Sequence, residues 1–364
     1  MQKTARSILP TWLVASLTLA FIATGISVST MVYLTAEAYL SQPVNPLTNA
    51  DFGADDTPVE IEDVEALEVL ETLPPPTPIV LEEPEVTATA DAINATLVAS
   101  NRINVLLMGI DRRPGEPFIS RTDSMMLLSI NPQTNRAAIM SIPRDFYADI
   151  PGWGRDRINT AFVKGALDGG PAGGAQLAME TVSLNLGVHV NHYVLVDFAA
   201  FIQGIDTLGG ITVNVPYTIN DPTFPDMNYG YDPLYIPAGP QLFDGTTALK
   251  YARTRHVDSD FGRAQRQQQV VLATRDRVLE LGAEQLLRQL PALYQQLESG
   301  VRTDMTLAQV ITLASASSQL PSENIGTLVL DFNYFVSYTT PQGASVLILQ
   351  NDVAAPAIQA LFAD

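Results

Sequence analysis

Three largely apolar runs lie between residues 102 and 157, at 105–110, 125–130 and 137–142, each about six residues long and flanked by charge. That length suits a strand better than a helix. The apolar residues run on without alternating, which predicts strands of a sheet covered on both faces. Asp111 follows the first run, Arg121 and Asp123 precede the second, and Arg144 and Asp145 follow the third. Three carboxylates and two guanidiniums therefore sit at the ends of neighbouring strands. Such a set suits a divalent cation holding a phosphate.

The distribution of charge narrows the ligand class. The net charge is -19, yet no Lys or Arg lies between Arg6 and Arg102, and basic residues cluster in 102–164 and 250–302. Concentrated arginines in an acidic chain point to a local anionic ligand and argue against nucleic acid, which needs a broad basic face. The absence of cysteine excludes structural disulfides, thiolate metal ligands and a thiol nucleophile.

Residues 8–34 contain no charged side chain, a longer run than the roughly 20 residues a membrane-crossing helix needs. This run contributes to a mean hydropathy of +0.13. With Lys3 and Arg6 before it and Glu37 after it, the run predicts a single anchor over 8–35 in the cell membrane. Residues 1–7 are then cytoplasmic and the bulk of the chain extracytoplasmic. A cleaved signal peptide is the other reading, with Ala36-Glu37-Ala38 as its site. Residues 36–100 are acidic and Pro-rich, as in TLPPPTPIVLEEPE, and predict an extended linker without a core. One catalytic domain is expected over 101–364.

Within that domain, helices are predicted at 159–167 and 172–186 around a Gly-rich break, then a strand at 189–198, a helix at 198–208 and a strand at 211–215. Residues 216–240 read as an irregular loop. A helix begins at 246, and amphipathic helices follow at 261–281, 284–297 and 307–317. Late strands at 327–331 and 345–349 and a helix at 353–362 close the chain. Strands mixed with helices predict an α/β sandwich.

Pro143, in Ser141-Ile-Pro-Arg-Asp145, fixes the chain just past a strand and presents Arg144 in a defined direction. Arg155 and Arg157 follow in GWGRDRIN, which lacks the third glycine of a dinucleotide fingerprint. A second constellation runs from Asp244 to Gln269. Arg253 and Arg255 share a face if extended, and Asp260, Arg263 and Gln267 share one if a helix starts near Asp260. Arginine suits bidentate recognition of phosphate; the plain alternative is a surface salt-bridge network. No G-x-S-x-G elbow, Walker A loop or H-E-x-x-H is present. His189 and His192 fall in a predicted strand and read as structural, and His256 stands alone among arginines.

These residues carry a resemblance. NVLLMGID, RTDSMMLLSINP, SIPRDFYADIPGWGRDRINTAF, HYVLVDF with LGGITVNVP, DGTTALKYARTRH and DFGRAQRQQQ follow one another over about 103–270. In kind and order they resemble the LytR-CpsA-Psr (LCP) family of cell-envelope proteins. The resemblance implies an LCP-like α/β/α sandwich whose central sheet is mixed. It also implies a phosphotransferase that moves a glycopolymer from a polyprenyl pyrophosphate carrier to a peptidoglycan sugar hydroxyl, leaving the lipid phosphate behind. By the same resemblance, Asp111 and Asp123 would hold Mg²⁺, with Mn²⁺ as the alternative. The pyrophosphate would lie against Arg121, Arg144, Arg157, Arg253, Arg255 and Arg263, with Gln267 in support. Arg121, Arg144, Arg253, Arg255, Asp260 and Arg263 would carry catalysis. RTDS stands where RSDT is commoner, and Arg157 where the family often has Lys. Two other functions use the same residues: a polyprenyl-pyrophosphate pyrophosphatase with water as acceptor, and a non-catalytic lipid-binding or regulatory envelope protein.

Overall fold

The computed structural model of the protein describes residues 102–363, apart from 114, 227–229, 256 and 298–299. The anchor expected over 8–35 and the linker over 36–100 lie outside the described residues. Among the described residues no helix is long and apolar enough to cross a membrane.

The three apolar runs form adjacent antiparallel strands, β1 (Ile103–Ile110), β2 (Thr122–Asn131) and β3 (Arg136–Ser141). The hairpin β4 (Tyr147–Ile150) and β5 (Gly154–Arg157) leads into the helix α1 (Ala161–Leu186). Gly170 breaks α1 with φ 59° and ψ -162°, just before Pro171, so the Gly-rich break expected from the sequence is a kink within one helical element. β6 (His192–Asp197) then returns to pair parallel with β1. α2 (Phe198–Thr207) and β7 (Ile211–Val215) follow.

The 216–240 segment is not wholly irregular. It holds a short hairpin, β8 (Ile219–Asp221) with β9 (Leu234–Ile236), and β10 (Gly239–Phe243) then pairs with β7. Strands of three residues among Pro, Asp and Asn carry too little apolar pattern to stand out in sequence. Next come α3 (Gly245–Arg253) and α4 (Asp260–Leu297), the latter broken at Gly282 (φ 69°, ψ 167°). The remaining elements are β11 (Val301–Thr303), α5 (Leu307–Ser318), β12 (Ile325–Val329), β13 (Phe335–Thr339), β14 (Ser345–Leu349) and α6 (Asn351–Phe362).

The main sheet has six strands in the order β11-β6-β1-β2-β3-β12. It is mixed, because β6 and β12 run parallel to their neighbours β1 and β3 while the other pairs are antiparallel. One face buries Leu106, Met108, Ile110, Met125, Leu127 and Met140 against Phe162 and Val182 of α1 and Ile358 and Phe362 of α6. α4 packs on β3 and β12, and α5 on β2. A second core, with Ile205, Val213, Phe243, Tyr251 and Val270, joins α2, α3, α4 and β7.

Two aspartates cap the helices that approach the site. Asp197 accepts from the Ala200 N–H at the start of α2, and Asp244 accepts from the Thr247 N–H at the start of α3. α3 begins so close to α2 that a Cβ on Gly245 would lie 2.2 Å from the Ile202 carbonyl oxygen. In an open helix Gly→Ala stabilises by about 0.5–1 kcal/mol. Here the clash is with backbone, so Gly245→Ala is expected to destabilise by about 1–3 kcal/mol, read as a lower midpoint in urea unfolding. A midpoint equal to or above that of the wild-type chain would show that α2 and α3 have room to part.

Candidate functional site

The ends of β2 and β3, the start of α4, Arg157 of β5 and the β13–β14 hairpin enclose a cleft of about 470 Å³. Its lining includes Asp123, Arg144, Asp145, Arg157, Asp260, Arg263 and Gln267. Arg144 is at the centre. Its Nη1 donates to Asp123 Oδ1 at 2.9 Å, and its Nε lies 3.6 Å from both Asp145 Oδ2 and Asp260 Oδ2. Arg157 Nε lies 3.2 Å from Asp145 Oδ1, and its Nη2 donates to the Ser345 carbonyl at 2.8 Å. Asp260 is also within 3.7 Å of Arg263 Nη1 and 3.9 Å of Arg255 Nη1. One carboxylate is thus shared among three guanidiniums.

Most of these contacts are charge contacts without hydrogen-bond geometry. The buried Nε atoms of both Arg144 and Arg157 lack a hydrogen-bond acceptor among the described residues. Each of these Nε atoms faces a carboxylate instead, Arg157 toward Asp145 and Arg144 toward Asp145 and Asp260, so the aspartates hold the guanidiniums by charge.

The electrostatics differ from one arginine to the next. Burial works against the charge of Arg144, but the Asp123 hydrogen bond and the nearby charges of Asp260, Asp123 and Asp145 outweigh it and raise its pKa. Burial lowers the pKa of Arg263, with repulsion from Arg144 and Arg255 adding to the effect and Asp260 opposing it. Burial also lowers that of Arg253, against the attraction of Asp111 and Asp123.

Asp111 and Asp123 stand at the same end of the sheet, because the β1–β2 register sets Ile110 opposite Thr122. Their side chains are 41% and 42% exposed. Among the described residues no group of three or more His, Asp or Glu forms a metal cage. Mg²⁺ is commonly held by one or two carboxylates together with substrate phosphates. The donor set, two partly exposed carboxylates beside a cleft rich in guanidiniums, fits such an ion.

The remaining expected site residues are distributed unevenly. Arg253 lies outside the cleft lining, 3.8 Å from Asp111 Oδ2 and with its guanidinium 4.6 Å from the Phe198 ring. Arg255 reaches the site only through Asp260. Arg121 is exposed just before β2 and, among the described residues, makes no hydrogen bond or ion pair. Gln267 joins the two sequence constellations: it accepts from the Ser124 hydroxyl at 2.9 Å and donates to the Ala252 carbonyl at 3.2 Å. His192 opens β6 and contacts Asp304 at 3.1 Å, away from the cleft, and His256 lies outside the described residues.

Sequence reasoning passed over Asp145, which touches both Arg144 and Arg157; its position directly after Arg144 was the available signal. It also passed over Gln268, whose Nε2 donates to Ser141 Oγ and to the Leu328 carbonyl, both at 2.9 Å, tying α4 to β3 and β12.

Arg266 faces away from the cleft. It is 3% exposed and donates to the carbonyls of Tyr251 and Thr254 and to both oxygens of Asp258. Asp258 also accepts from the Tyr217 hydroxyl at 2.6 Å. This knot fixes the turn between α3 and α4, and with it the spacing of Arg253 and Arg255 from Asp260 and Arg263. Burial tends to raise the Asp258 pKa, but the hydrogen bonds from Arg266 and Tyr217 lower it below its ordinary 3.8. Its stabilising effect is therefore full above the unfolded value and lost as pH falls through the folded one. Asp258→Asn should cost about 1.5–3 kcal/mol at pH 7. The gap between variant and wild type should narrow below pH 3.8 in urea unfolding at stepped pH. A gap constant down to pH 3 would exclude the ion pair as its source.

Polyisoprenyl-teichoic acid–peptidoglycan teichoic acid transferase TagU of Oceanobacillus iheyensis is 36% identical over 223 residues, which are 61% of this chain and 64% of that protein. Regulatory protein MsrR of Staphylococcus aureus is 35% identical over 181 residues, 49% of this chain and 50% of the relative. The chain thus matches less than two thirds of the length of either relative. The solved structure of TagT bound to LIIa-WTA superposes with a TM-score of 0.55 at 25% identity, covering 72% of this chain and 92% of that one. The model of the LytR_cpsA_psr family matches residues 82–360, more than three quarters of the sequence, and the chain belongs to that family.

Proposed function

We propose that the protein is a membrane-anchored, extracytoplasmic phosphotransferase. It moves a glycopolymer from a polyprenyl pyrophosphate carrier to a sugar hydroxyl of peptidoglycan. The observation that carries this reading is the cleft that brings Arg144, Arg157 and Arg263 together with Asp123 and Asp260 at one end of the sheet. The names of TagU, as a polyisoprenyl-teichoic acid–peptidoglycan transferase, and of TagT bound to LIIa-WTA support the substrate class.

In this reading Arg144, Arg157 and Arg263 bind the pyrophosphate oxygens, and Arg253 and Arg255 extend the positive field toward Asp111. Asp123, Asp145 and Asp260 hold the guanidiniums in place before substrate arrives. Gln267 keeps the β2 end and the α3 end in register. Arg121, at the exposed entry to β2, meets the substrate from solvent. Asp111 and Asp123 would hold Mg²⁺ or Mn²⁺, which would supply counter-charge to the phosphate oxygens. The acceptor hydroxyl attacks the phosphorus that bears the glycopolymer. A new P–O bond forms, the bridging P–O bond breaks, and the bridging oxygen leaves with the lipid phosphate. Asp260 takes the hydroxyl proton. Positioning and charge neutralisation suffice for such a transfer.

The test incubates the protein with a polyprenyl-pyrophosphate-linked oligosaccharide and Mg²⁺, with and without peptidoglycan fragments, and follows both lipid phosphate and sugar adduct. Arg144→Ala is expected to lower kcat/KM by about 10²–10³-fold. Asp260→Asn should lower turnover by about 10²–10⁴-fold and leave donor binding within a few-fold. Unchanged turnover in Asp260→Asn removes it as the base. Release of lipid phosphate without an adduct would make the protein a pyrophosphatase. Tight binding with no release would favour the regulatory reading that the name of MsrR carries.

A further inference from the structure

A buried carboxylate at the end of β6 takes no part in the cleft, yet it is tied to Asp111 twice. Asp197 is 1% exposed. Its Oδ2 accepts from Arg112 Nε at 3.0 Å and from Arg112 Nη2 at 2.5 Å, and its Oδ1 accepts from the Ala200 N–H at 2.8 Å. Its own N–H donates to the Gly300 carbonyl at 2.9 Å. A Cβ at residue 300 would lie 2.4 Å from Oδ1, so the carboxylate needs glycine there.

The first tie runs along the backbone. Asp197 is the register partner of Ile110, the residue before Asp111. Arg112, the residue after it, is held by Asp197, by the Glu116 carbonyl at 2.7 Å and by the Phe118 ring 3.9 Å from its guanidinium carbon. Arg302 lies 4.2 Å from the same ring. Asp111 is thus flanked by two residues held by Asp197, Ile110 through strand pairing and Arg112 through the carboxylate. The second tie runs through α2. Asp197 caps this helix, and its first residue, Phe198, carries the guanidinium of Arg253, which is the counter-charge of Asp111.

We propose that Asp197 is a positioning residue for the cation site formed by Asp111 and Asp123, acting through Arg112 and Phe198. The proposal rests on the assignment of that site under Proposed function. Partners that orient metal ligands from outside the coordination shell typically change affinity by about 10–100-fold when mutated.

Mn²⁺ alone is the probe, titrated into the full-length protein in the cold and followed by loss of the free-ion electron paramagnetic resonance signal. Asp197→Asn retains a good helix cap but loses the charge that holds Arg112, and should weaken the Mn²⁺ Kd by about 10-fold. The double variant Arg112→Gln/Asp197→Asn removes both charges together and leaves neither buried alone. It should show the same weakening with an unchanged near-ultraviolet circular dichroism spectrum. Wild-type affinity in the double variant, while Asp111→Asn loses the site, overturns the positioning role and leaves the cation site standing. No Mn²⁺ binding by the wild-type chain, or none lost in Asp111→Asn, overturns the cation site and this proposal with it.

Discussion

Guanidiniums crowded into one cleft repel one another, and burial penalises each charge further. The site exists because three carboxylates, Asp123, Asp145 and Asp260, are threaded among them. Distance decides what this compensation leaves over. Apart from the 2.9 Å bond between Arg144 and Asp123, the contacts to Asp260 fall at 3.6–3.9 Å, beyond good hydrogen-bond length. At those distances the carboxylates offset charge without forming hydrogen bonds, and the cluster keeps an excess of positive charge. A cluster compensated in this way is held in place by its aspartates and still presents net positive charge to an anion.

The sheet places these groups, and it draws on the whole described chain. The β1–β2 register shifts between Gly109 and Ile110, where a Cβ on Gly109 would press on Ser124 at 3.2 Å. That same Ser124 donates to Gln267, so a local irregularity of the first hairpin is read directly by α4. The C-terminal region is equally bound in. β12 pairs with β3, Gln268 bonds to β12, and β14 contributes Ser345 to the hold on Arg157. Residues beyond 280 are thus a wall of the same site.

Periodicity explains what was legible in the sequence. The runs at 105–110, 125–130 and 137–142 lie in β1, β2 and, but for Ile142, β3, and the segments 211–215 and 345–349 match β7 and β14 to the residue. These strands carry enough apolar side chains to reveal a sheet. β4, β5, β8 and β9 have three or four residues each and gain their stability from pairing, which a single strand's composition does not show. In the site, helical spacing put Asp260, Arg263 and Gln267 together, and all three line the cleft. The same spacing turns Arg266 to the opposite side, onto Asp258. Arg121 was the hardest to place, because an exposed residue before a strand has no periodic constraint on where it lies.

The arginines do not have equivalent roles, and their different surroundings imply a division of labour. Arg144 has three acids nearby and its charge is held more firmly than in water. It is the fixed member, already oriented. Burial disfavours the charge of Arg253 and of Arg263, against the attraction of Asp111 and Asp123 for the first and of Asp260 for the second. An arriving phosphate would add counter-charge beside Arg263, which lines the cleft next to Arg144. In the proposed function, phosphate charge beside Arg263 relieves its repulsion from Arg144 and Arg255. Arg144 itself sets the direction from which that charge is met.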